Sequence, residues 1–100
     1  MALVTIVYWR DIPAQVIVQR GRKREKVQLS QRFHEAIDRA AMRAGKGGSD
    51  AYMSEWRRDT TAIESAADLR EIAEQEADRL EAGCSDEQLL QLIRNHGSAE

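Results

Sequence analysis

The sequence predicts an α+β domain: a three- to four-stranded antiparallel sheet with three helices packed mainly on one face. Three observations carry that reading. Two β-branched runs, Val4–Val7 and Val16–Val18, flank a break at Arg10–Pro13, so most of the strand-forming side chains fall in the first twenty residues. Later stretches repeat apolar residues at spacings of three and four, the period of a helix with one buried side. At 100 residues, with 42% apolar and 32% charged side chains, the chain suits one hydrophobic core.

The first strand runs from about Leu3 to Trp9 and is apolar on both faces, which places it centrally in the sheet. Pro13 has no N–H to donate and is expected in the connection rather than in a ladder. The second strand, about Ala14–Arg20, follows after a link of four to five residues, favouring an antiparallel hairpin. Gly21 suits a turn, and the basic run to Lys26 is too crowded to bury. Val27–Leu29 forms a brief third strand or leads directly into a helix; both readings stay open.

Ser30 is placed to cap the first helix, and Gly45 to stop it. Between them Phe33, Ala36, Ile37, Ala40, Ala41 and Ala44 make one apolar face. Lys46–Asp50 reads as a flexible loop, and Ala51–Arg57 as a further strand ended by Arg58–Thr61. A second helix is expected from near Ser65 to Gly83, with Ser65–Asp68 resembling a capping box and Leu69, Ile72, Ala73, Ala77 and Leu80 as its apolar stripe. Ser85–Gln88 is a better capping box and opens a last helix to about Asn95. The domain thus spans 1–97, with 98–100 a frayed tail.

The net charge of −2 hides a polarity. Residues 1–46 hold ten Lys/Arg against four Asp/Glu; residues 47–100 hold five against thirteen. Such halves can neutralise each other within the fold or steer charged partners. No segment is apolar enough to span a membrane, and no secretory pattern precedes the first strand. With Cys84 as the one cysteine, no internal disulfide can form, and a cytosolic setting is expected.

No cofactor or metal is expected. His34, Cys84 and His96 are widely spaced and lack the close pairs typical of metal sites. Cys84 precedes a helix N-terminus, which can lower a thiol pKa, but Gly83-Cys84 is also an ordinary linker. Nothing assembles a nucleophile, base and orienter. Two constellations remain. Arg20, Arg22, Lys23, Arg24 and Lys26 cluster near a turn and could touch nucleic-acid phosphates without reading bases. Trp9, Arg10, Asp11, Trp56, Arg57 and Arg58 gather aromatic and guanidinium groups, the types favoured at binding hot spots; the bland reading is that both tryptophans close the core.

Tyr8–Ile17, Gly21–Lys23, Arg32-Phe33, Ala36–Met42, Asp50–Tyr52 and Glu55–Arg58 together resemble the small bacterial virulence factor domain family. That family includes stand-alone proteobacterial proteins and a C-terminal domain of the staphylococcal conserved virulence factor C. The resemblance covers roughly residues 3–58 well and the remainder loosely, and it carries no catalytic residues with it. It implies an accessory role, with stand-alone members tending to lie near genes of folate and corrinoid methyl transfer. The expected function is a non-catalytic cytosolic interaction module or small accessory subunit with a protein partner. Phosphate-backbone binding through Gly21–Lys26 is the first alternative, and a methyl-transfer accessory the second.

Overall fold

A computed structural model describes residues 1–45 and 48–98. Lys46 and Gly47 of the expected loop, and Ala99 and Glu100 of the expected tail, lie outside the described residues. The fold is α+β, as the sequence predicts. Strands β1 (Ala2–Trp9), β2 (Ile12–Arg20), β3 (Lys23–Gln28) and β4 (Trp56–Ile63) form one sheet in the order β3-β2-β1-β4, antiparallel throughout. Helices α1 (Gln31–Arg43), α2 (Ser49–Met53), α3 (Leu69–Ala82) and α4 (Asp86–Arg94) complete it, one more than expected.

The extra helix arises where a strand was expected. Ser49–Met53 is a short helix, and the strand begins only at Trp56 and continues to Ile63, past the Arg58–Thr61 segment expected to end it. Pairing with β1 overrides the local preference, since each residue from Trp56 to Ile63 has a partner there. Pro13 is a second departure, for it lies inside β2, and the hairpin loop is only Arg10-Asp11. Tyr8 pairs with Pro13 and Val7 with Gln15, so Ala14 is the extra residue of a bulge. The bulge interrupts the ladder beside the proline, and the Ala14 carbonyl accepts from Leu29 N–H at 3.0 Å. Val27 and Gln28 resolve as the end of strand β3, which Lys23 begins.

Cross-strand partners point to the same side of a sheet. Val4, Val16 and Val18 share one side and join the core with Leu69, Ile72, Ala73 and Ala77 of α3. That core continues past the hairpin end through Trp9 and Ile12 into α1 and α4. On the opposite side, between Leu3 and Val7 of β1 and Gln15 and Gln19 of β2, only Val7 and Ile17 are buried, and neither joins the core. Leu3, Gln19, Arg24, Lys26, Arg58, Thr60 and Ala62 stand there in solvent. One face of the sheet is therefore open.

Helix ends follow their caps. Ser85 closes a complete capping box with Gln88. Asp68, not Ser65, is the N-cap of α3; the Ser65 hydroxyl accepts from Ala67 N–H in the turn before it. Ser30 holds the N-cap position of α1, yet its hydroxyl bonds Glu81 of α3 instead of its own helix.

Candidate binding groove at the hairpin end

Trp9 and Trp56 are opposed at the end of the β1–β4 ladder, and Tyr52 of α2 joins them. Tyr52 stacks on Trp9 with ring centroids 6.0 Å apart and meets Trp56 edge-on at 5.8 Å. The Trp9 indole N–H donates to the Tyr52 carbonyl at 2.9 Å. Trp9 is completely enclosed, whereas Trp56 is half-buried. Trp9 thus contributes to any surface from beneath, and its truncation strikes the core first.

Arg10 turns the hairpin with φ 53, in the left-handed region that a side chain rarely adopts. Three contacts hold it there. Its N–H donates to the Glu55 carbonyl at 3.1 Å, its guanidinium donates to the His96 carbonyl at 2.9 Å, and it pairs with the Glu55 carboxylate at 3.4 Å. Asp11 N–H donates to the Gly97 carbonyl at 2.9 Å. The Arg57 guanidinium lies 4.5 Å from the Tyr8 ring centroid, pairs with Asp11 at 2.9 Å and also donates to the Arg10 carbonyl. Arg10, Asp11 and Arg57 therefore knit the hairpin tip to β4 and to the end of α4.

Arg58 differs, because it forms no ion pair or hydrogen bond among the described residues and projects from the open face. Beside it is a groove of about 470 Å3 lined by Val7, Gln15, Met53, Trp56, Arg57 and Arg58. Met53 is 64% exposed at the mouth of this groove. Four residues of the expected surface meet in or around this groove, with Trp56, Arg57 and Arg58 lining it and Trp9 supporting it. Val7, Gln15 and Met53 were not anticipated. The first two become legible once Val7 is paired with Arg58 and Gln15, because that register puts all three on one side. Met53 was misplaced with its strand.

The basic cluster divides. Arg22, Lys23, Arg24 and Lys26 are exposed, the last three on edge strand β3 rather than on a turn. Arg20 instead donates to the carbonyls of Ser65 at 2.7 Å and Ala67 at 3.1 Å, fixing the approach to α3.

No three His, Cys, Asp or Glu side chains converge on a metal position among the described residues. Burial pushes the Cys84 thiol above its ordinary value, with Glu81 and Asp86 adding to it and Arg32 opposing. Among the described residues no helix is long and apolar enough to cross a membrane.

No curated protein and no solved structure matches the chain. The sequence profile of the virulence factor family matches residues 7–93, which is most of the chain and both aromatic segments of the groove. The chain belongs to the virulence factor family.

Proposed function

We propose that the protein is a non-catalytic interaction module, or small accessory subunit, that docks a protein partner in the groove between Met53, Trp56 and Arg58. The observation that carries this reading is the groove itself. It combines an exposed methionine, a half-buried tryptophan and an arginine with no internal partner among the described residues, on an otherwise open sheet face. Aromatic, methionine and arginine side chains are the residue types enriched at interface centres. The accessory role in methyl transfer implied by the family resemblance would take the form of a corrinoid- or folate-dependent methyltransferase component bound there.

The test is capture of partners from nuclease-treated lysate by the tagged protein and by Trp56→Ala and Arg58→Ala variants. A stoichiometric partner should bind the parent chain and lose about tenfold or more in affinity with either variant, the scale of a hot-spot residue. Undiminished binding by both variants would remove the groove from the interface.

Phosphate-backbone binding is the second reading, favoured by a specific observation. The open face carries Arg24, Lys26 and Arg58 but no carboxylate on any of its four strands. Against it, its two central strands present no aromatic platform between Leu3 and Val7 or between Gln15 and Gln19. An Arg24→Glu/Lys26→Glu variant separates the readings: it abolishes salt-sensitive nucleic-acid binding under the second and leaves the groove partner untouched under the first.

A further inference from the structure

Strand β4 is an edge of the sheet, with Arg57, Arg58 and Asp59 in its first half and the uncharged Thr60, Thr61, Ala62 and Ile63 in its second. It runs eight residues without proline, glycine or bulge, and its register with β1 is unbroken from Ala2↔Ile63 to Trp9↔Trp56. The other edge, β3, is six residues long and carries Lys23, Arg24 and Lys26, the usual deterrents to edge pairing. From Arg58 onward β4 has one carboxylate, Asp59, and then Thr60, Thr61, Ala62 and Ile63. All but Ile63 are exposed.

The outward backbone groups can be identified. Arg10 N–H donates to the Glu55 carbonyl, which continues the β1–β4 ladder by one pair. Pairs two residues apart along an antiparallel ladder are alike, so Arg57, Asp59, Thr61 and Ile63 turn their N–H and C=O groups to β1. Arg58, Thr60 and Ala62 turn theirs outward.

We propose that β4 pairs with β4 of a second copy, antiparallel about a two-fold axis at Thr61, to make one eight-stranded sheet. Charge selects the register. Outward residues must oppose outward residues, so the axis falls on a single residue. With the axis at Arg58 or Asp59, a like-charged residue opposes itself. At Thr60, Arg58 meets Ala62. At Thr61, Arg58 of each copy falls opposite Glu64 of the other, one residue past the end of β4, and Thr60 opposite Ala62. Arg58 and Glu64 are exposed and without internal partners among the described residues, so this register satisfies four charges that the single chain leaves open. Opposed charges across a ladder stabilise it, whereas like charges disfavour it. A two-fold contact of this kind is self-complementary and closed, so it yields dimers rather than filaments. Both open faces then lie on the same side, with the two grooves at opposite ends of the seam.

Seven residues a side make a small interface, so the dimer should be weak, with a Kd on the order of 10–100 µM. Sedimentation equilibrium from about 5 to 500 µM, a range that brackets that Kd, should show a monomer–dimer equilibrium. Ala62→Pro deletes an outward N–H that no group among the described residues accepts, so it should keep the monomer's circular dichroism and weaken association at least tenfold. Arg58→Glu and Glu64→Arg should each weaken it by a similar factor, and the double exchange should restore it. A chain that stays monomeric throughout the range overturns the proposal. So does a dimer that survives Ala62→Pro unchanged, or a double exchange that fails to recover association when both single variants lose it.

Discussion

Gly97 lies at φ 90 against the Trp9 ring, where a Cβ would stand 2.8 Å from the ring carbon Cζ3. That distance is shorter than any relaxed carbon contact, and the fully enclosed indole has no space into which to retreat. Gly97→Ala therefore faces a clash and a left-handed backbone together, and should cost about 2 kcal/mol or more. Trp9→Ala removes the largest enclosed side chain and the donor to Tyr52, for about 3–5 kcal/mol. Urea unfolding monitored by far-ultraviolet circular dichroism measures both. Parent-like stability of Gly97→Ala would show that the end of α4 does not press on Trp9. Trp56→Ala, at a half-buried position, should cost less than Trp9→Ala, so the two tryptophans separate by stability as well as by binding. That separation was not legible in the chain, where both stand beside arginines at strand ends. Only the third ring, Tyr52, brought in by an unanticipated helix, puts one inside and the other at the mouth of the groove.

At the scale of elements, the joint between α1 and α3 shows how a cap can be borrowed. Glu81 accepts the Ser30 N–H at 2.6 Å and the Ser30 hydroxyl at 3.0 Å, and pairs with Arg32 at 3.2 Å. Arg32 donates in turn to the carbonyls of Glu81 and Cys84, each at 2.8 Å, and covers the Phe33 ring at 4.5 Å. The carboxylate thus replaces the hydroxyl's usual duty. Glu81→Ala should destabilise the domain by about 1–2 kcal/mol, since it leaves the Ser30 N–H and hydroxyl without their acceptor and takes from Arg32 one of its two carboxylate partners. Ser30→Ala should cost less than Ser85→Ala, whose hydroxyl makes a true cap at 3.1 Å and is worth about 1 kcal/mol. Equal costs for the two serines in thermal unfolding would contradict the borrowed cap. From the chain both serines read as N-caps, Ser85 with Gln88 as its box partner, but that the Ser30 hydroxyl turns away from its own helix depends on a contact 51 residues away. Helix positions and apolar faces were legible because they are local and periodic. The β4 span was not, because pairing with β1 decides it.

Across the whole molecule the two charge halves meet. Arg10 pairs with Glu55, Arg32 with Glu81 and Asp86, and the reverse pairs Asp11–Arg57 and Glu25–Arg70 tie N-terminal carboxylates to C-terminal arginines. All are partly exposed, so each is worth little alone; Arg10 and Arg32 are the N-terminal cations that reach the acidic half in these pairs, while Arg22, Lys23, Arg24 and Lys26 stay in solvent. The groups that packing holds neutral have a wider reach in pH. Burial raises the Tyr8 hydroxyl, helped by Asp59 and opposed by Arg57 and Arg79. Burial likewise raises Tyr52, with Asp38 adding to it, and Cys84 despite Arg32. These groups sit on β1, on α2 and before α4, so their shifts sample the fold at three separate places. Each prefers its neutral form when folded. Its contribution to stability is complete below its unfolded pKa and is lost as pH rises through the folded one. The unfolding midpoint should therefore hold steady through neutral pH and fall from about pH 9 upward, where thiols and then phenols ionise. Tyr8→Phe should flatten part of that fall while leaving the neutral plateau in place. A midpoint that stays level to about pH 11, beyond the ordinary phenol range, would show that these three sites do not favour their neutral forms in the folded chain.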